Sequence, residues 1–147
     1  MKSSERVKTN EKLVYQVNGR PAALAMLYFA FNTWQTIFTL NMIDMVAVGL
    51  GVMWIILLNT LLSFLVFIIS FEMKRYSVPW SWAGLGIGAF QCLRVFIIPD
   101  GAAGTRMNIA ISLVAGGVLL IIASIWSLVK CGKYWRARKE LECRTLV

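Results

Sequence analysis

The sequence has no histidine. That absence excludes His-ligated haem, His-containing zinc sites and every histidine-based acid–base mechanism. Acids are scarce as well: 7 Asp and Glu stand against 15 Lys and Arg. None of the acids interrupts a long apolar run; Asp44, Glu72 and Asp100 lie between the runs, and the rest lie in the polar ends. A proton-coupled antiporter relies on a membrane-embedded carboxylate or histidine relay, and this chain offers neither. Its three cysteines, Cys92, Cys131 and Cys143, form no CxxC pair and no disulfide framework. Cys143 is too far from the end for a prenylation box, and Cys131 is expected to be an unmodified residue beside the membrane rather than an acylation site. No Walker loop, HExxH or GxSxG occurs. The sequence thus carries no enzyme signature, no metal site and no sign of a cofactor.

What the sequence does have is apolar length. Hydrophobic residues make up 59% of the chain and charged residues 15%, well away from the roughly half and quarter of a soluble domain. Four uncharged or nearly uncharged segments run from about 22–43, 45–71, 80–98 and 107–129. Each is long enough to cross ~30 Å of hydrocarbon as a helix, the conformation lipid demands of a lone segment. The connections are short, so neighbours should be antiparallel. The expected fold is all-α: an antiparallel bundle of four transmembrane helices forming one domain at 22–129. A basic N-terminal tail (1–21) precedes it, and a basic tail (130–147), expected to continue the last helix, follows. The polar start and the lack of a small-residue cleavage site suggest a retained signal-anchor rather than a removable signal peptide.

Charge orients the bundle. Of the 15 basic residues, all but Arg94 and Arg106 lie in the two tails or in the loop holding Lys74 and Arg75. Four spans put those three regions on one side, which the positive-inside rule makes the cytoplasm. Trp80 and Trp82, and Tyr134 and Trp135, fall where an interfacial aromatic belt belongs. The net charge of +8 is therefore expected to meet anionic headgroups at the cytoplasmic face of a multi-pass protein of the cell membrane, not nucleic acid.

Polar residues inside the runs are the candidates for function. Asn32, Gln35, Thr36 and Thr39 follow i, i+3, i+4, i+7 spacing and share one helix face. Asn59 and Ser63 are one turn apart on the second segment. Gly84 and Gly88 predict a close helix contact, as do Ser112, Gly116, Ala123 and Ser127 on the fourth. A glycine stripe of this kind also admits a homo-oligomer.

Arg94 is the outlier. At 1.5 Å per residue it falls roughly 7 Å outside the midplane, level with the stripe on the first segment. It borders the face of Gly84, Gly88 and Gln91, so it should lean inward. An unpartnered arginine at the membrane centre would cost about 2.5–3.5 kcal/mol. One expectation pairs it with Asp44 or Asp100, which makes it structural. The other places it with Gln91, Asn32, Gln35, Thr36 and Thr39 in an outward-opening pocket that binds or transports a polar or anionic ligand or a lipid headgroup. The alternative is a non-catalytic accessory or assembly subunit of a larger membrane complex, favoured by the small extramembrane mass.

Overall fold

The computed structural model describes residues 17–42, 50–97 and 103–145, with side chains for 17–37, 54, 56–96 and 110–143. Among the described residues there are four α-helices and no strands. Helix α1 is Gly19–Met42, α2 is Leu50–Lys74, α3 is Val78–Leu93 and α4 is Ala103–Thr145. A 3-10 turn, Arg94–Ile97, follows α3. Two of the helices, α2 and α4, are long and apolar enough to cross a membrane. Asn32, Gln35 and Thr36 dilute the apolar character of α1, and α3 has only 16 α-helical residues.

The sequence reading runs the third helix to Ile98, whereas α-helical winding stops at Leu93. Pro99 accounts for this. In an α-helix a proline ring clashes with the carbonyl four residues earlier, and proline disfavours helical winding in the residue before it. The chain tightens into the 3-10 turn instead.

α2 and α3 are joined by only Arg75–Ser77. The turn needs a left-handed residue and uses Tyr76, at φ 56°. That conformation is costly for a bulky side chain. Packing holds it in place: the Tyr76 ring stacks on Tyr134 of α4, 4.4 Å apart and 7° from parallel. The Tyr76 N–H also donates to the Met73 carbonyl at 3.2 Å. The Lys74–Val78 turn and the basic end of α4 form the tail end of the bundle.

Glycine sets how closely α3 and α4 approach. A Cβ on Gly88 would lie 2.9 Å from the Gly117 carbonyl oxygen and 3.1 Å from the Ile121 nitrogen. A Cβ on Gly117 would lie 2.8 Å from the Gly88 carbonyl oxygen. The two backbones therefore touch at this crossing, and no side chain fits between them. Gly116 makes room for the ring of Tyr28 in the same way, with 2.9 Å to Cε2. The buried face of α3 is Ser81, Gly84, Gly88 and Gln91. Between the ends of the bundle lies an apolar layer of Ala22, Ala25, Val66, Ile69, Leu120 and Ala123.

Candidate functional site

Two polar clusters flank the apolar layer. The first, at the tail end, draws on all four helices. Asn18 precedes α1 and is fully buried. Its Nδ2 donates to the Met73 carbonyl at 3.0 Å and to Ser127 Oγ at 3.1 Å, and its backbone N–H donates to the Lys74 carbonyl at 3.3 Å. Ser81 Oγ of α3 lies 2.8 Å from Ser127 Oγ. The last carbonyls of α2, which have no partner within their own helix, are thereby satisfied. Among the described residues Asn18 Oδ1 has no hydrogen-bond partner. As the residue before α1, Asn18 would normally cap the N–H of the second or third helical residue, but the third is Pro21, which has none.

The second cluster, at the opposite end, contains Arg94. Its Nη1 donates to Asn59 Oδ1 of α2 at 3.1 Å and to Gln91 Oε1 of α3 at 2.9 Å. Arginine only donates, so both amides must turn their oxygens towards it. Their NH2 groups then point away and donate onward. Gln91 Nε2 donates to the Tyr28 hydroxyl, and Asn59 Nδ2 donates to Thr36 Oγ1. Thr36 Oγ1 donates to the Asn32 carbonyl at 2.8 Å. Asn32 Nδ2 donates to Ser63 Oγ, and Ser63 Oγ donates to the Asn59 carbonyl at 2.9 Å. The donors thus run from the guanidinium through Asn59 to Thr36, and Asn32 and Ser63 close the loop back onto the Asn59 backbone. Tyr28, Asn32, Asn59, Ser63 and Gln91 are buried, while Arg94 is half-buried.

No protein-family model, curated protein or solved structure matches the chain. The site therefore rests on its own geometry.

Of the residues nominated by sequence, Arg94, Gln91, Asn32 and Thr36 belong to one hydrogen-bonded network. Gln35 is partly buried on the same helix. The side chain of Thr39, and the ion-pair candidates Asp44 and Asp100, lie outside the described residues. Asn59 is the member that joins α2 to both α1 and the 3-10 turn after α3. Its i+4 partner Ser63 marks the inward face, but spacing cannot say which neighbour that face meets. Tyr28 has a signal in hindsight: with Asn32 and Thr36 it continues one stripe at i, i+4, i+8. Among the described residues no three His, Cys, Asp or Glu are grouped to hold a metal.

Chemically, the described residues position a cation without neutralising it. Among the described residues the hydrogen-bond partners of Arg94 are two neutral amide oxygens, and both bonds leave through Nη1. The side of the guanidinium formed by Nε and Nη2 makes no hydrogen bond among the described residues. That edge can hold two oxygens of a carboxylate or phosphate at once.

Proposed function

We infer that this chain is a small polytopic membrane protein with four spans and its tail end in the cytoplasm. It binds or transports a polar or anionic ligand at an outward-facing site around Arg94. The membrane reading draws support from how little of the apolar surface the protein itself covers. Only 33% of the apolar stretch of α2 and 39% of that of α4 is buried. Trp34, Trp54 and Trp82 are each at least 60% exposed. A core helix of a soluble protein would be mostly buried, whereas lipid accommodates this surface at no cost. The shorter helices α1 and α3 complete the set of spans. With the 3-10 turn added, α3 reaches roughly the ~30 Å it needs.

The observation that carries the site is the anchoring of Nη1 by Asn59 and Gln91, which presents the Nε–Nη2 edge in fixed orientation. Preorganisation of this kind lowers the cost of binding. The apolar layer and the Asn18–Ser127–Ser81 cluster close the cytoplasmic side, so the site opens outward in this conformation.

Arg94→Lys provides the test. It keeps the charge and should fold, but it should lose binding because lysine has no planar fork. Arg94→Met should destabilise the protein without rescue by Asp44→Asn or Asp100→Asn. The opposite result would be strong rescue by either aspartate change, with no ligand-dependent gain in thermal stability across anionic lipids and small anions. That result would make Arg94 a structural ion pair and leave the accessory-subunit reading.

A further inference from the structure

The relation between α2 and α3 bears on which anion reaches Arg94. At the tail end the two helices are in close contact. A Cβ on Gly84 would lie 2.9 Å from Met73 Cε and 3.4 Å from Ile69 Cγ2. Towards the other end the turn Arg94–Ile97 packs beside α4, and the long side chain of Arg94 reaches across to Asn59 of α2. Of the adjacent helix pairs, α2 and α3 share the least extensive interface among the described residues. The contact between α2 and α3 is thus a thin seam, with a guanidinium across it. The neighbouring surface is apolar: Leu58 of α2 is 41% exposed, and Leu93 and Phe96, next to Arg94 in the chain, are 60% and 84% exposed.

Resting on the reading of Arg94 as an outward anion site, we propose that its ligand is the phosphate of an outer-leaflet phospholipid. The headgroup enters laterally between α2 and α3 while its acyl chains stay against Leu58, Leu93 and Phe96. A water-soluble anion would have to leave water and pass the exposed apolar rim. A phospholipid carries its phosphate to this depth with its chains already in hydrocarbon, so only the headgroup is desolvated. Arg94 can extend towards the interface to meet it. The Nε–Nη2 edge takes two phosphate oxygens, and Asn59 and Gln91 hold the guanidinium in place through Nη1.

The full chain in mild detergent is the material for the test. Thermal unfolding is followed with phosphatidylglycerol, neutral glucosyl-diacylglycerol, inorganic phosphate or sn-glycerol 3-phosphate. Phosphatidylglycerol should raise the unfolding temperature by roughly 5 °C near saturation. The other three should have no effect, and Arg94→Lys should abolish the shift. If inorganic phosphate or glycerol phosphate stabilises the protein as well as the lipid does, in an Arg94-dependent way, the anion site stands and lateral lipid entry is refuted. If no anion of either kind gives an Arg94-dependent shift, the anion site itself fails. A variant-free arm covers the case in which Arg94→Lys does not fold. Phosphatidylglycerol with a photoreactive acyl chain should label α2 and α3 around Leu58, Leu93 and Phe96 in the wild-type protein. Labelling spread evenly over all four helices would overturn the proposal.

Discussion

Gly88→Ala adds one methyl group where α3 and α4 share backbone contact, and its cost can be worked from the geometry. The added Cβ would sit 2.9 Å from the Gly117 carbonyl oxygen, 3.1 Å from the Ile121 nitrogen and 2.8 Å from Ile121 Cγ1. Two of these neighbours are backbone atoms of a helix, so relief requires the helices to separate. Overpacking of this kind costs about 1–3 kcal/mol. Alanine also improves helix propensity over glycine by about 1 kcal/mol, which obscures the cost in a single variant. Gly86 supplies the control, because a Cβ there meets nothing within 4 Å. Both substitutions share the propensity gain, so Gly88→Ala should be less stable than Gly86→Ala by about 1–3 kcal/mol. Gly84→Ala should fall between them. Its closest neighbours are Ser124 Oγ at 2.6 Å and Met73 Cε at 2.9 Å, both ends of side chains that can rotate. Titration with a denaturing detergent, followed by circular dichroism, measures all three. Equal stability of Gly88→Ala and Gly86→Ala would refute the backbone contact and the helix rotation derived from it.

Asn18→Ala should cost about 1–2 kcal/mol by the same assay, since it removes two buried hydrogen bonds. Asn18→Asp should cost more, because it replaces the donor facing the Met73 carbonyl with an acceptor; equal tolerance would contradict the assigned amide orientation. Burial pushes the Tyr76 hydroxyl above its ordinary value of 10.0. Between that value and the raised one the unfolded chain has lost the proton and the folded chain has kept it. Stability contributed by Tyr76 is therefore complete below pH 10 and falls as pH rises through the folded value. Tyr76→Phe should flatten this alkaline decline, and an unchanged profile would place the effect elsewhere. Cysteine tagging in intact cells should report Ser77→Cys as cytoplasmic and Ala103→Cys as external; the reverse pattern would overturn the assigned orientation.

Apolar length and short connections suffice to read helices in this chain, because a segment that must bury its own backbone polar groups has few other conformations. The early end of α3 is equally local, since Pro99 acts through its own ring. The stripe of Asn32 and Thr36 is legible because helical period is a property of one helix. What a stripe meets is not. Asn59 links Thr36 to Arg94 only because α1, α2 and α3 have particular rotations and tilts, and those follow from how closely α3 and α4 approach at Gly88 and Gly117. The tail-end cluster is further from view. Asn18 lies outside every apolar run, so neither period nor hydropathy marks it as buried. It is buried because α2 happens to end beside it, leaving carbonyls at Met73 and Lys74 that need donors. Hydrophobic period is set residue by residue along one chain, whereas the pairing of polar groups between helices depends on several rigid bodies settling at once, and only the folded bundle decides it.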